Sequence, residues 1–431
     1  MHRLINSCRI CGNKHLTEIL YLGDQFLASA FVKNNAVLSP EKIPLTVMLC
    51  NKEGNPNACG LVQLKETVQR NEMYGTYFYR SATNPMMRDA LKEIVQALSE
   101  RVHLKENDYV LDIGCNDGTL LSFYPESLYR VGIDPAQNID RSYLNSSIQI
   151  VKDYFSKTAI LSHNLKQTFK AISSIAMFYD LDDPNTFVAD IKSILDPEGI
   201  WCIQLSYLPT TLKTLNFYDI CHEHLLYYSL EVLEFLLKKH DLYIFDADLN
   251  DVNGGSLRVF VTHTTNSKSI SENVSKIRAE EKVLHLDQLD IYKTFSNRID
   301  HLKKVIVNYL TNAKKKNFLV IGLGASTKGN VLLQAFHLTS TLLPAISERN
   351  PEKIGLYTLG TNIELISETQ ARALKPACML VLIWFFKDEL LKREKDYLEA
   401  GGKLLFPMPY PHMVTKDGEH ALEEYEEYSA V

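Results

Sequence analysis

The sequence has no apolar run that approaches the roughly 20 residues a membrane-crossing helix needs. Its opening stretch, Met1 to Ile10, holds no apolar core of the kind a secretion signal carries. It has no internal repeat and no low-complexity tract. It also has no excess of positive charge: 46 lysines and arginines stand against 52 aspartates and glutamates, a formal net charge of −6. That balance excludes the broad electrostatic attraction that holds nucleic acid or an anionic membrane. The expectation is a cytoplasmic chain, a monomer or weak oligomer, with a small molecule as its partner.

What is there is the composition of a globular protein with true cores, 45% apolar and 23% charged. At roughly 100–200 residues per domain, 431 residues predict two to four domains. Residues 1–75 read as irregular, with four cysteines and a Gly/Asn/Pro-rich turn from Glu53 to Asn57. Met86, Met87, Ala90, Leu91, Ile94, Val95 and Leu98 recur at helical spacing and predict a helix over 84–98. Short apolar runs follow at Tyr109–Ile113, Arg130–Ile133, Ile148–Lys152, Ile172–Phe178 and Ile200–Leu205, mostly separated by helical segments. That alternation marks a parallel α/β sheet. Leu242–Asp248 and Ser256–His263 predict an antiparallel hairpin. Residues 270–315 are polar, poor in glycine and proline, and read as a helical connector. A second strand–helix alternation runs through Phe318–Gly322, Leu343–Ser347, Met379–Trp384 and Lys403–Phe406. The acidic end, Glu419 to Glu427, reads as a surface tail or a frayed helix. The predicted units are 1–75, 76–268, 269–315 and 316–431.

Of the eight cysteines, Cys8 and Cys11 form a CxxC pair, and Cys50 and Cys59 follow. CxxC turns deliver thiolates in pairs to a tetrahedral zinc. A unit of this size has little core, so a metal can stand in for one. A redox CxxC is the other reading, but no strand–helix context surrounds Cys11 as such a site requires. The wide Cys50–Cys59 spacing reads as a loop, Lys52–Ala58, inserted between two ligands.

Tyr109–Ile113 runs into Gly114-Cys115-Asn116-Asp117-Gly118, a D-x-G-x-x-x-G loop led by Asp112. Gly114 and Gly118 let backbone approach a ligand closely, at the strand end where doubly wound sheets bind cofactors. Asp134 ends the next strand and is placed to accept both ribose hydroxyls of an adenosine. An acidic loop suits the ammonium group of S-adenosylmethionine (SAM). A dinucleotide fold prefers G-x-G-x-x-G and rests a pyrophosphate on the helix start. Cys115, Asn116, Pro135 and Met177 complete the expected cofactor contacts.

Past the fifth strand, Tyr218 to Ser229 gathers His222, His224, Asp219, Glu223 and three tyrosines. A histidine there can take a proton from a carbon beside a carbonyl, with Glu223 or a tyrosine orienting it or bonding the enolate oxygen. A polar loop leading into a helix capped by Ser229 is the plain alternative. Gly322 to Gly329 joins a strand to a helix, and free amides at the helix start with Lys328 suit a phosphate; an ordinary strand–helix turn fits equally.

With these segments in hand, the chain resembles the sugar C-methyltransferases that act on nucleotide-linked 4-keto sugars. The likeness spans nearly the whole chain. It runs from the CxxC pair through Tyr21-Leu22-Gly23, Cys59 to Leu64, Tyr77 to Ser81 and the glycine loop to His222-Glu223-His224-Leu225 with Tyr227-Tyr228-Ser229. It continues at Asn253 to Arg258, Gly324 to Asn330, Asn350 to Lys353 and Gly401-Gly402-Lys403. The resemblance implies an α/β protein with a small N-terminal zinc domain, a central SAM-binding Rossmann-like sheet and a smaller C-terminal Rossmann-like domain. It implies a nucleotide sugar, of dTDP or GDP type, held between the last two, contacted by Asn253, Arg258, Lys328, Arg349 and Lys353. It maps the general base to His224, with Glu223, His222 and Tyr77 or Tyr79 beside it. Cys221 stands where that family often has tyrosine, and Leu359-Gly360 where it has Pro-Gly. The reaction expected is methylation of the carbon next to the 4-keto group, C3, through His224 and an enolate. O- or N-methyl transfer, an NAD(P)-dependent sugar oxidoreductase and a non-catalytic zinc scaffold are the alternatives.

Overall fold

A computed structural model describes residues 2–33, 41–74, 80–83, 85–142, 144–163, 165 and 168–422. Val110, Leu111 and Ile113 are all buried along one short strand. A strand apolar on both faces belongs inside a sheet that is covered on both sides. Tyr109–Ile113 indeed lies inside a seven-stranded sheet. Its strand order is Leu242–Asn250, Ser256–His263, Leu195–Ser206, Phe169–Ile175, Tyr109–Ile113, Tyr129–Ile133, Ile148–Val151. The last five are parallel and the first two form the predicted antiparallel hairpin. From Tyr109–Ile113 the chain builds to one side, then crosses over to Phe169–Ile175 on the other. The glycine loop therefore sits at a topological switch point, where such sheets leave a crevice.

The C-terminal sheet repeats this plan. Val320–Leu323 pairs in parallel with Ala345–Glu348 on one side and with Cys378–Val381 on the other, which makes the loop after Leu323 a second switch point. The sheet has nine strands, more than the sequence suggests. Leu356–Thr358, Glu364–Ser367, His412–Thr415 and Gly418–Ala421 are short. The outermost, Phe31–Lys33, comes from the N-terminal unit and pairs with Leu356–Thr358. Gly418–Ala421 is a strand paired antiparallel with His412–Thr415, which corrects the tail-or-helix reading at its start. Residues beyond 422 lie outside the described residues.

The described residues of 1–75 are not irregular. Leu16–Gln25, Ile43–Cys50 and Val62–Leu64 form an antiparallel sheet, and its fourth strand, Leu226–Tyr227, is lent by the central domain. Ile43–Cys50 is buried almost throughout, so the alternation that would have betrayed it is missing. The helix predicted over 84–98 spans Pro85–Arg101 and buries Leu91, Ile94, Val95 and Leu98 at the expected spacing. The predicted connector is two helices, Glu272–Leu284 and Leu289–Lys315. The second buries Tyr292, Phe295, Ile299, Leu302, Ile306 and Leu310 as one stripe, so it is part of the core.

Candidate active site and zinc site

Both switch points and the histidine segment face one cavity of about 770 Å³. Its cofactor end is built by the strand ends. Gly114 and Gly118 have φ of +72° and +81°, the left-handed region that glycine enters freely. A Cβ on Gly114 would stand 3.0 Å from Met177 Cγ, so the turn and Met177 close on each other. Asp112, Gly114, Cys115, Asn116, Asp134, Pro135 and Met177 all line the cavity. Gly118 sits behind them, against Leu144.

Asp112 is buried beneath the loop and accepts from the Ser173 hydroxyl at 2.6 Å. Burial pushes its carboxyl up to about 7, a rise the Ser173 bond limits and Asp134 and Asp117 reinforce. Asp134 is less available than the sequence suggests. Its carboxylate already accepts from Asn116 N at 2.9 Å, Ala136 N at 2.9 Å and Arg141 Nη2 at 3.1 Å. Of about four lone-pair sites on a carboxylate, that leaves room for one ribose hydroxyl rather than two. The loop is braced from the other side as well: Ser81 N donates to Asn116 Oδ1 and Ala82 N to Asp117 Oδ2. Tyr77 and Tyr79 lie outside the described residues.

His224 lines the middle of the cavity. Its Nδ1 is 2.7 Å from the Asp219 carbonyl oxygen, a partner that can only accept. The proton is thereby assigned to Nδ1, and Nε2 is left as the basic nitrogen. Burial lowers the pKa of His224, opposed by Asp219 and supported by Lys328, so the ring is neutral near pH 7. Tyr179 packs on the imidazole with centroids 4.4 Å apart. Glu223 also lines the cavity, 5% exposed, and neither of its carboxyl oxygens has a partner among the described residues. His222 is brought elsewhere: its Nε2 lies 3.2 Å from the Ile43 carbonyl oxygen, at the seam with the N-terminal sheet. The structure gives it a packing role and does not bring it into the cavity wall.

At the far end, Asn253, Lys328 and Lys353 line the cavity. Lys328 is not a free cation: its ammonium lies 2.6 Å from Asp219 Oδ1 and donates to the Asn253 carbonyl at 3.1 Å. Lys353 donates to the Ala325 carbonyl at 3.0 Å and covers the Phe31 ring at 4.8 Å. The helix start after Ser326 is partly satisfied, since Gly329 N donates to the Ser326 hydroxyl. Two expected substrate contacts are not brought here. Arg258 is buried under the sheet, bonded to Gln204 Oε1 at 2.8 Å and Glu93 Oε1 at 3.0 Å. Arg349 points to solvent near Glu389, 3.6 Å away.

Sequence reasoning missed Asp180. It lines the cavity in the turn after the fourth strand, and burial, reinforced by Glu223, holds its carboxyl well above the usual range. The run Tyr179-Asp180-Leu181-Asp182-Asp183, placed at a strand end, was the available signal. Asp219, whose carbonyl orients His224 and whose carboxylate holds Lys328, was noted only as part of a polar cluster.

The sulfur atoms of Cys8, Cys11, Cys50 and Cys59 lie within 4.8 Å of one another. Cys8 and Cys59 are 3.4 Å apart, Cys11 and Cys50 3.5 Å. Four sulfurs at roughly 2.3 Å from a tetrahedral zinc stand somewhat under about 4 Å apart, so the set fits the ion. Asn13 Nδ2 donates to Cys50 Sγ at 3.6 Å, the kind of outer bond that orients a ligand. The redox reading needs one pair, and here both pairs converge.

Three family models match successive parts of the chain. Residues 8–74 match the family described as "Putative zinc binding domain", 85–246 "Methyltransferase domain", and 251–409 "C-methyltransferase C-terminal domain". The chain is 26% identical over 421 residues to C-methyltransferase NovU of Streptomyces niveus, covering 96% of this chain and 98% of that protein. Solved structures that align with it include N-methyltransferase NodS from Bradyrhizobium japonicum WM9, at 15% identity over 42% of this chain and 98% of that one, TM-score 0.32. Magnesium protoporphyrin IX methyltransferase from Synechocystis PCC 6803, solved with SAH, aligns at 10% identity over 42% and 88%, TM-score 0.33. The three matched domains follow one another along the chain: a methyltransferase domain, preceded by a four-cysteine zinc-binding domain and followed by a domain that matches the C-methyltransferase C-terminal model.

Proposed function

We propose that the chain methylates the carbon next to the 4-keto group, C3, of a nucleotide-linked sugar. The observation that carries this reading is His224, held with Nε2 free as a base in a cavity walled at one end by the glycine loop and at the other by Lys328 and Lys353. In this reading residues 1–75 hold zinc, 76–268 hold SAM, 269–315 connect, and 316–431 hold the nucleotide. Bound SAM supplies an electrophilic methyl group. Asp112 faces its ammonium, Asp134 one ribose hydroxyl, and Pro135 and Met177 its apolar surface.

His224 takes the α-proton on Nε2. The Asp219 carbonyl keeps the ring in place and stabilises the imidazolium that forms. The enolate oxygen needs a donor, and Asp180, whose carboxyl burial and Glu223 push toward the neutral acid, is the cavity group suited to give one. Lys353 and the remaining donor of Lys328 face the diphosphate. Contacts to the nucleotide, remote from the reacting carbon, orient the sugar, and holding both reactants in one cavity supplies several kcal/mol of the barrier.

The test is mass spectrometry of products formed from SAM and a panel of dTDP- and GDP-linked 4-keto sugars, with NMR to place the methyl group. One added methyl on carbon is the expected result. Methyl on oxygen or nitrogen, or no transfer while SAM binds, overturns the reading. In deuterated water His224→Ala is expected to slow α-proton exchange by about a hundredfold or more; exchange at the wild-type rate removes His224 from the base role.

A further inference from the structure

The zinc domain reaches the acceptor side of the cavity through one buried guanidinium. Arg9 stands between the ligands Cys8 and Cys11, and its side chain is 3% exposed. Nη1 donates to the Leu64 carbonyl at 2.6 Å and Nη2 to the Thr67 hydroxyl at 2.6 Å, both within the zinc domain. Nε donates to Asp182 Oδ1 of the methyltransferase domain at 3.4 Å, and Arg3 pairs with the same carboxylate. Asn185 Nδ2 donates to the carbonyls of Arg9 and Ile10 at 3.0 and 3.1 Å, and Lys239 Nζ to that of Ile10 at 2.6 Å.

The segment held this way is cavity wall: Tyr179, Asp180, Leu181 and Asp183 line it. The strand after Cys59 holds the neighbouring wall, since Leu64 N donates to the Leu225 carbonyl at 2.9 Å, one residue past His224. The glycine loop is braced independently, by Asp134, Arg141, Ser81 and Ala82.

We propose that Arg9 is a positioning residue for the methyl acceptor: metal on the four cysteines fixes the Cys8–Cys11 turn, and Arg9 and Asn185 pass that order to the wall at residues 179–185. Metal occupancy then governs acceptor binding and leaves SAM binding alone. Arginine is needed because its planar fork meets four acceptors at once, Gln63 Oε1 at 3.3 Å being the fourth, which a lysine ammonium on a flexible stem does not. The proposal rests on the sugar-methylating reading only for the identity of the acceptor.

The test compares Arg9→Met, Arg9→Lys and Asp182→Asn in the full chain. It reads metal content, calorimetric affinity for SAH, amide hydrogen exchange at residues 179–185, and kinetics on an acceptor the wild type methylates. Expected for Arg9→Met is unchanged metal, unchanged SAH affinity, and exchange faster by about tenfold in that segment. The acceptor KM is expected to rise by about tenfold while kcat moves much less. Arg9→Lys should fall between, and Asp182→Asn should reproduce part of the effect without adding fully to Arg9→Met. Removing the metal with a chelator should give the same split between SAH and acceptor. Unchanged exchange and KM with metal in place overturn the proposal, as does loss of SAH affinity in step with acceptor affinity. Should Arg9→Met lose its metal, Asp182→Asn, outside the zinc domain, decides. Should no sugar be methylated by the wild type, the exchange measurement still decides, and the failure falls on the sugar reading alone.

Discussion

Lowering the pH from about 8 to about 6 acts at the cofactor end of the cavity on Asp112, whose carboxyl is pushed up to about 7 chiefly by burial. A cationic ammonium binds the ionised form of that carboxyl. Affinity is therefore nearly complete by about pH 8 and is lost as pH falls through the folded-state value of about 7. A group titrating near 7 is about 90% ionised at pH 8 and about 10% at pH 6, which predicts a roughly tenfold rise in Kd, or about 1.4 kcal/mol. The assay is titration calorimetry with SAH across that range. Two controls isolate the group. Asp112→Asn is expected to weaken SAH binding at pH 8 and to flatten the profile. Adenosine keeps the ribose proposed to face Asp134 but has no ammonium, so it should bind with little dependence on pH. A flat SAH profile in the wild type refutes the assignment of Asp112 to the ammonium; an equal slope for adenosine refutes it too and points to Asp134, whose carboxyl burial also raises.

Lys328→Met leaves the buried Asp219 carboxylate without its 2.6 Å partner; the expected loss is about 3 kcal/mol, read by denaturant unfolding, and Lys328→Met with Asp219→Asn should recover most of it. Gly118→Ala forces a residue with a Cβ to φ +81° and sets that Cβ 2.6 Å from Leu144 Cδ1. About 1–2 kcal/mol of strain is expected to weaken SAH binding by about tenfold, and unchanged calorimetry would show that the loop yields. His222→Ala should cost about 1 kcal/mol of stability and leave α-proton exchange unchanged, in contrast to His224→Ala; equal effects on exchange would return His222 to the reacting centre.

What was legible in the sequence is what is local. The glycine loop, the hairpin and the helix at 85–101 depend on residues a few positions apart, and periodicity and turn chemistry fix them. The four cysteines were legible because their chemistry overrides their spacing: Asn55 N to the Lys52 carbonyl and Ala58 N to the Asn55 carbonyl fold the insertion between Cys50 and Cys59 into two tight turns. What was illegible depends on partners far along the chain. Arg258 looks like an anion-binding residue until Glu93 is placed against it by a helix in another part of the fold. Lys328 looks free until Asp219 meets it across the cavity. His222 and His224 are two apart, and only the packing of Ile43 against one of them separates a seam residue from a cavity residue.

The same long-range pairing bears on how the enzyme handles its reactants. In the proposed reaction, proton transfer needs Nε2 of His224 within hydrogen-bond reach of one carbon-bound proton, and many enzymes gain that precision by closing a hinge over the substrate. Here main-chain pairing crosses the domain borders in two places. Leu226–Tyr227 completes the zinc-domain sheet, and Phe31–Lys33 of the zinc domain extends the C-terminal sheet. A hinge that swings the C-terminal domain away from the methyltransferase domain would have to break ladder hydrogen bonds at Leu356–Thr358, or carry the zinc domain along and break those at Val62–Gln63. The walls bearing His224 and Lys353 are thus tied to each other through the zinc domain, and the order that hinge closure supplies elsewhere is built in before substrate arrives. Zinc then belongs to the folding of the active site, since the four cysteines are not among the residues that line the cavity.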